Sequence, residues 1–449
     1  MQEYADYTSV PTAWLTELPS HWDCKKIGSL FSERKTKVSD KEFQPLSVAK
    51  IGVVPQLETA VKTDAGDNRK LVRAGDFVIN SRSDRKGSCG VSELDGSVSL
   101  INIVLTPRSQ WNAKYVHYLM RSQPFSEEYY RYGRGIVSDL WTTRFSEMKN
   151  ILLPIPSRSE QDQIVRFLDW KVSMINRLIN TKRKEIKAVD AMKRSMVSSA
   201  VTRGLNPGTP MKFSGVKWLG DIPEHWETIK LRQLLHPVSI KNHPELPLLS
   251  VVREQGVIVR DVTDKEANHN YIPDDLSGYK MVKKGQFAMN KMKAWQGSYG
   301  ISDYTGIVSP AYFIFDVSFD NLEYFHYAIR SKVYVNFFAQ ASDGIRVGQW
   351  DLQMDKMKEI PFIVPPADEQ VAIVEYIKQT LPRYDVAIEK LTAEVETLEE
   401  YKAKLIADVV TGKIDVRDVE IPDYEFVDEN ADSDSDSEED VEETEEQED

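Results

Sequence analysis

The sequence predicts an α+β protein with an internal duplication: two globular domains separated by two long helices that form an antiparallel coiled coil. Three observations indicate this fold class. A phrase near the start of the chain returns about 200 residues later, short β-prone runs follow each copy, and apolar residues at spacings of three and four close each half. At 449 residues the chain is long enough for two or three separate cores.

The duplication is visible in phrases that recur at a nearly constant offset. WLTELPSHW (14–22) returns 204 residues later as WLGDIPEHW (218–226), and RAGDFVIN (73–80) returns 210 residues later as KKGQFAMN (283–290). From YVHYLMRS and YFHYAIRS onward the offset stays at 209. Copies of about 200 residues are far longer than the 20–50-residue repeats of solenoid proteins. The chain is therefore a duplicated pair of domain and helix.

Each globular region is expected to be an α+β domain. DFVIN, IVLT, QFAMN and AYFIF have the composition of strands and are separated by turn residues, and YVHYLMRSQ has that of a helix. The predicted segments are residues 1–157 for the first domain, 158–205 for the first long helix, 206–366 for the second domain, 367–414 for the second long helix and 415–449 for an acidic disordered tail.

Each long helix is predicted to start just after a proline, in PSRSEQDQIV (156–165) and PPADEQVAIV (365–374). Apolar residues then recur for about five heptads, which is typical of a coiled-coil seam. At 1.5 Å per residue each helix would be roughly 60 Å long and would hold the two domains apart. Pro382 is expected to kink the second helix or to delay its regular part. The predicted contact residues are Leu168, Val172, Ile175, Ile179, Ile186 and Val189 in the first helix, and Leu381, Tyr384, Ile388, Leu391, Val395 and Leu398 in the second.

The net charge of −13 is unevenly distributed along the chain. Of the 70 acidic residues, 18 follow Arg417, whereas no lysine or arginine does. Residues 1–417 therefore hold 57 basic and 52 acidic side chains and carry a small positive charge. DSDSDSEEDVEETEEQED lacks the apolar content needed to fold, which predicts disorder. The acidic total does not argue against nucleic-acid binding by the folded part.

Other sequence features argue against several protein classes. The N-terminal stretch does not resemble a signal peptide, and no apolar run reaches the roughly 20 residues that span a bilayer, so we expect a cytoplasmic protein. Cys24 and Cys89 stand alone, and the histidines show no metal-binding spacing, so neither a disulfide nor a metal site is expected. The chain also lacks the Gly-rich loops that cradle nucleotide phosphates.

The order of these phrases resembles the specificity subunit of type I restriction-modification enzymes. The resemblance covers roughly residues 10–415 and rests on the two WLxxxPxHW phrases, on the Pro-x-x-x-Glu-Gln starts at Pro156–Gln161 and Pro365–Gln370, and on NKMKAWQGSYGISDYTGIVSPAY (290–312). The last stretch is close to a recurrent phrase of the family's target-recognition domains. The first domain departs from it, with NSRSDRKGSCGVSELDGSVSL (80–100) in that place.

The resemblance implies a subunit without catalytic chemistry, whose two target-recognition domains read double-stranded DNA. Since the two domains differ, the target would be bipartite and asymmetric. The helices would hold two methyltransferase (modification) subunits, and restriction (translocase) subunits would join the complex. This chain would bind no cofactor and no membrane. S-adenosylmethionine, ATP and Mg would be used by the partners.

Residues expected to contact DNA are basic or planar polar side chains in matching loops of the two domains. They are Lys35, Lys37, Arg82, Arg85, Lys86, Arg131, Arg134 and Arg144 in the first domain, and Lys241, Lys291, Lys293, Trp295, Gln296 and Arg346 in the second. Trp141 and Trp350, which the repeat matches to each other, are expected in the core, and Trp295 could lie there too. His21 and His225 are expected to be packed or capping residues, with no catalytic role.

Two other functions remain open from the sequence. The chain could be a protein scaffold whose domains do not read DNA, although basic, Gly-rich loops in equivalent places argue against this. It could also be a self-contained nuclease or methyltransferase. However, Asn206-Pro207 is followed by Gly-Thr, which does not complete an adenine methyltransferase motif, and scattered acids near Pro273 give only a loose nuclease match.

Overall fold

The computed structural model describes residues 2–57, 66–82, 87–135, 141–217, 219–261, 272–273, 275–346 and 349–428. The chain forms two compact units, one built on residues 1–181 and 394–431 and the other on residues 182–393. Each unit contains one globular domain and one segment of each long helix.

The first domain is built around a four-stranded antiparallel sheet. Phe77–Asn80 pairs with Cys89–Val91 on one side and with Asn102–Pro107 on the other, and Phe31–Glu33 forms the far edge. The remaining strands are Tyr7–Ser9 with Glu17–Pro19, Asp23–Lys26 with Leu152–Ile155, Leu46–Ala49 with Gly52–Pro55, and Arg69–Val72 between Lys37–Val38 and Gly96–Val98. The short helices are Ile27–Leu30, Ala113–Arg121, Gln123–Arg131 and Phe145–Met148.

The second domain has a four-stranded sheet with the same strand order. Phe287–Asn290 pairs with Tyr299–Ile301 and with Tyr312–Val317, and Leu235–Val238 forms the far edge. The remaining strands are Met211–Phe213 with Asp221–Pro223, Glu227–Lys230 with Pro361–Val364, Leu249–Val252 with Gly256–Val259, Lys280–Val282 with Gly306–Val308, and Ser342–Arg346 with Gln349–Leu352. Leu322–Ile329, Lys332–Gln340 and Met354–Lys358 are α-helices, and Leu231–Gln233 and Ala294–Gln296 are 3-10 turns. The predicted strands and helix of both domains are confirmed.

A small apolar core shows that the two domains keep the same register. It consists of Leu46, Val72, Val78, Val98 and Val104 in the first domain, and it includes Leu249, Val282, Ala288, Val308 and Ile314 in the second. Four of these five pairs are 210 residues apart. Because side chains alternate between the faces of a strand, a slip of one residue would turn the set out of the core. This constraint keeps each strand in register, while the offset differs between strands and is 203 for Leu46 and Leu249.

The two long helices span Arg158–Arg203 and Ala367–Val410. The second helix runs through Pro382 without a break. The prediction that its regular part begins only after this proline was therefore wrong. Ile373, Val374 and Ile377, which precede the proline, are buried in the core of the second unit, and this packing stabilises the segment despite the hydrogen bond that proline removes. Across the described residues, every helix is too short or too polar to cross a bilayer.

Within the first unit, the helical segments run in opposite directions. The side-chain amide of Gln163, near the start of the first helix, donates to the carbonyl of Val416, beyond the end of the second (3.0 Å). Farther along the first helix, Asn176 accepts a hydrogen bond from Lys402 (3.3 Å). Since the partner number falls as the helix number rises, the packing is antiparallel.

The second unit shows the same direction of packing between its own segments. Lys193 forms an ion pair with Asp385 (2.5 Å), and Val201 shares a core with Ile377. The partner number again falls along the first helix. Antiparallel packing is therefore present within each unit, whereas a continuous coiled coil along both helices stays a prediction.

The residues after the second long helix lie along the first helix as an extended C-terminal segment (Val416–Val427). Gln163 Nε2 donates to two of its carbonyls (3.0 and 2.9 Å). Ser173 Oγ donates to a third (3.0 Å) and accepts from one of its N–H groups (2.7 Å), and Asn176 Nδ2 donates to a fourth (3.2 Å). The three side chains are buried, so their polar atoms need these partners.

This segment corrects part of the predicted disordered tail at 415–449. The N–H of Asp415 donates to the carbonyl of Gln2 (2.9 Å), and the segment that follows is held by its main chain. The composition of the tail could not indicate this, because the bonding side chains lie about 250 residues away in sequence. Residues 429–449 lie outside the described residues.

Replacing Ser173 with alanine is expected to loosen the C-terminal segment. The substitution removes both hydrogen bonds that the Ser173 hydroxyl makes with the main chain of the segment, and a loss of about 1 kcal/mol for each corresponds to roughly 30-fold faster amide exchange. Hydrogen exchange of the peptide covering 416–428, read by mass spectrometry, measures this. Ser199→Ala, at an exposed serine of the same helix, is the control. Equal exchange in both variants would contradict the assigned role of Ser173.

Candidate nucleic-acid interface

Two predicted basic regions of the first domain meet at Thr142. Arg82 and Arg134 each form an isolated β-bridge with this residue. The N–H of Arg134 donates to the Thr142 carbonyl (3.2 Å), and the N–H of Thr142 donates back (3.0 Å). Both arginines are exposed, so residues 52 positions apart in sequence present two guanidinium groups in one region. Arg85 and Lys86 lie outside the described residues.

The other predicted residues of this region differ in their surroundings. Arg131 forms a bidentate ion pair with buried Glu128 (2.8 and 2.7 Å), which raises the pKa of Arg131 and engages the paired donors that a phosphate would need. Arg144 is exposed at the start of a short helix. Trp141 is 39% exposed, so its predicted core position was wrong. In the second domain Trp295 stacks on Trp350, which matches Trp141, whereas the first domain has Arg85 at the position of Trp295.

The third basic loop of the first domain combines lysines with a carboxylate. Lys35 is exposed and lies 3.2 Å from Glu33. Lys37, also exposed, is paired across the sheet with Lys70. Lys70, which the sequence analysis did not select, lies 3.7 Å from the other oxygen of Glu33. Burial lowers the pKa of Lys70 most, Glu33 opposes this, and Lys35 adds to it.

In the second domain, the predicted loop at 291–296 contacts the hairpin formed by Ser342–Arg346 and Gln349–Leu352. Lys291 forms an ion pair with Asp351 (3.2 Å), and its carbonyl accepts from the N–H of Leu352 (3.3 Å). Trp295 stacks on Trp350 of the hairpin, with ring centroids 5.5 Å apart and an angle of 27°. Both tryptophans are half-buried, so each has a packing role.

The remaining predicted residues of this loop differ in exposure. Lys293 is exposed and Gln296 is half-buried. Gly297 ends the turn Ala294–Gln296 with φ 98°, a left-handed conformation that glycine adopts without strain. The side chain of Arg346 lies outside the described part of the molecule.

The third basic loop of the second domain carries Lys241. It is exposed and precedes Asn242, whose φ of 65° gives the chain a tight left-handed turn. The pKa of Lys280 is lowered first by burial and then by the charges of Lys241 and Lys291. Lys280 was missed by the sequence analysis. The sequence feature that could have indicated Lys280 is its match with Lys70, 210 residues earlier.

The repeated tryptophan phrase and the Glu-Gln helix start bind each other within each unit. In the first, His21 Nε2 lies 3.1 Å from Glu160 Oε2, and the Tyr4 hydroxyl donates to the other oxygen (2.8 Å). In the second, Glu369 contacts His225 and accepts a hydrogen bond from the indole N–H of Trp226 (3.0 Å). The histidines are therefore partners of a carboxylate, but both are exposed, with 45% and 46% of the side chain accessible, so neither is packed in the core.

The glutamine that follows each of these glutamates closes the start of its own helix. Gln161 Nε2 donates to the carbonyl of Pro156 (3.0 Å), and Gln370 Nε2 donates to that of Pro365 (2.8 Å). Both glutamines are buried. The motif thus uses one side chain to bind the domain and the next to hydrogen-bond the proline carbonyl that precedes the helix.

No family model matches the chain. It is 26% identical over 291 residues to the type I restriction enzyme MjaVIII specificity subunit of Methanocaldococcus jannaschii, covering 60% of this chain and 64% of that protein. It is 22% identical over 432 residues to the putative type I restriction enzyme MjaX specificity subunit of the same organism, covering 89% of this chain and 95% of that protein. The chain is related to the specificity subunits of type I restriction enzymes. The resemblance inferred from its motifs is confirmed.

A solved structure shows the same fold. The match is to a chain from a structure that explains complex assembly and conformational transition of the type I R-M system. The TM-score is 0.58 and the identity 12%, and the match covers 88% of this chain and 99% of that one. This agrees with two α+β domains joined by long helices, and the predicted fold class is confirmed. The matched part of the MjaVIII protein amounts to 64% of its length, just under two thirds.

In this relative of the specificity subunits, the predicted helix contacts fall on inward-facing positions. Among the predicted residues, Leu168, Ile175, Ile179 and Val395 are buried, and Val172, Ile186, Val189, Leu381, Tyr384, Ile388, Leu391 and Leu398 are half-buried. Exposed Met174 and Leu178 lie on other faces of the first helix. The burial pattern fits a seam, whose role in binding partner subunits stays a prediction.

Replacing Glu369 with alanine is expected to destabilise the second unit. Trp226 is fully buried, so its indole N–H would lose its partner at a cost of about 1–3 kcal/mol. For a unit of this size, that lowers the Tm by about 2–10 °C. Glu369→Gln keeps an acceptor and should lose less, and Glu375→Ala, at an exposed position of the same helix, should change little. Differential scanning calorimetry would reject this role if Glu369→Ala and Glu375→Ala melted alike.

Proposed function

We propose that this chain is the non-catalytic specificity subunit of a type I restriction-modification complex, which reads a bipartite, asymmetric DNA target. One observation carries this proposal. Two domains with the same sheet order present loops at matching positions, yet the exposed side chains of these loops differ.

The difference between the loops supports two different half-sites. The first domain presents Arg82 and Arg134, and arginine pairs with the two acceptors of guanine. The matching region of the second domain contains Lys293, Trp295 and Gln296, and glutamine pairs with adenine. A scaffold that did not read DNA would have no need for exposed cationic loops in both copies.

The long helices support docking of protein partners. Apolar side chains remain exposed on them: Met174, Leu178 and Tyr401 in the first unit, and Val371, Tyr376 and Val386 in the second, with exposed fractions of 41–62%. A protein partner that covered these side chains would remove their apolar surface from water. We propose that two methyltransferase subunits bind here and that restriction subunits join them. S-adenosylmethionine, ATP and Mg would then act on those partners.

Co-expression with a methyltransferase subunit from the same genome tests the proposal. We expect a stable complex that methylates a split, asymmetric motif, readable by sequencing the methylated bases of the host DNA. The methyltransferase without this chain is the control and should leave the motif unmethylated. A continuous or palindromic motif would contradict the reading by two unlike domains, and a stable complex without methylation would favour the scaffold.

The double variant Arg82→Gln and Arg134→Gln is expected to weaken binding of that target about tenfold at moderate salt, because two positive charges are lost from one face. Fluorescence anisotropy with the complex and a labelled duplex measures the affinity. Arg158→Gln is the matched control, since this exposed arginine lies at a helix start and pairs with Asp162 (3.0 Å). Equal affinities for the double variant and the control would remove Arg82 and Arg134 from the interface.

A further inference from the structure

Three lysines of the second domain are brought together by the strand pairing. The N–H of Met281 donates to the carbonyl of Ile240 (2.7 Å), which places the preceding Lys280 beside Lys241. The ammonium group of Lys280 donates to the carbonyl of Tyr312 (2.7 Å). Tyr312 is paired across the sheet with Asn290, the residue before Lys291. The cluster Lys241, Lys280 and Lys291 is thus positioned by the framework of the domain.

The cluster is electrostatically unfavourable by itself. Lys280 is half-buried, and burial together with Lys241 and Lys291 lowers its pKa. Lys291 also pairs with Asp351 (3.2 Å), whereas Lys241 is exposed. Like charges held together by a rigid sheet repel one another, and a bound anion would relieve that repulsion.

The first domain has the same lysine at the same place, but a carboxylate lies beside it. Lys70 donates to the carbonyl of Asn102 (2.6 Å), as Lys280 does to Tyr312, its match in the repeat. Glu33 lies 3.7 Å from Lys70 and 3.2 Å from Lys35. The strand register aligns Glu33 with Pro237, so the second domain has no acid at this position.

We propose that Lys241, Lys280 and Lys291 form a binding site for DNA backbone phosphate, and that Glu33 weakens the equivalent site of the first domain. The inference rests on the proposed function, because it assumes that the domains bind DNA. It adds Lys280 as a binding residue and Glu33 as a residue that limits binding. The second domain then supplies more of the salt-dependent affinity than the first.

The salt dependence of DNA binding by the full-length chain tests this inference. The probe is a fluorescein-labelled duplex of random sequence, and the readout is the slope of log K against log salt concentration. Each phosphate contact contributes about 0.9 to that slope. Lys241→Gln and Lys280→Met should each reduce its magnitude by about 0.9, and Glu33→Gln should increase it. Lys390→Gln, at an exposed lysine of the second long helix, should leave it unchanged.

The outcomes separate this inference from the proposed function. If the unaltered chain binds the duplex but Lys241→Gln and Lys280→Met keep the full slope, the phosphate site is wrong and DNA binding stands. If the unaltered chain shows no salt-dependent binding, both are overturned. If Lys241→Gln reduces the slope but Glu33→Gln does not raise it, the role of Glu33 is wrong. Lys241 is exposed, so its variant remains informative even if Lys280→Met folds poorly.

Discussion

The glutamate at the start of each long helix is the contact on which the rest of each unit depends. Glu369 accepts a hydrogen bond from the indole N–H of Trp226, a fully buried residue whose polar atom would otherwise lack a partner. Trp226 also lies against Gly204, which ends the first long helix with φ 73°, and a Cβ built there would lie 3.2 Å from the ring. A single indole thus joins the end of one helix to the start of the other.

The first unit uses the same construction with different atoms. Glu160 binds His21 and Tyr4, and Gly412, with φ 78°, lies against Pro19 and Trp22 after the second helix. A Cβ at this glycine would come within 2.5 Å of the Pro19 ring. Close backbone approach and left-handed geometry both require glycine here. The repeated phrase is therefore a joint between domain and helices, which explains why it appears once in each half.

Both domains have the same contact between the repeated phrase and the helices and the same order of strands in the sheet. The loops can therefore vary without loss of the fold. Four of the five pairs in the small core keep a spacing of 210, whereas the loops after Asn80 and Asn290 carry different side chains. The helices have diverged too. Gln163, Ser173 and Asn176 bind the C-terminal segment, while the second helix has Ala372, Pro382 and Asp385 at the offset of 209. Through such differences in loops and helices, the two halves can have unequal roles.

The sequence by itself determined the duplication, the α+β domains, the two long helices and the family, since these depend on spacing and order that repeat along the chain. It also marked Arg82 and Arg134 as basic, but only the tertiary structure joined them, through Thr142. The contacts of Lys280 and Glu33, and the partners of the C-terminal segment, were decided by the tertiary structure alone. Their significance comes from neighbours distant in sequence, and a local pattern cannot show which charge a folded strand will place beside another.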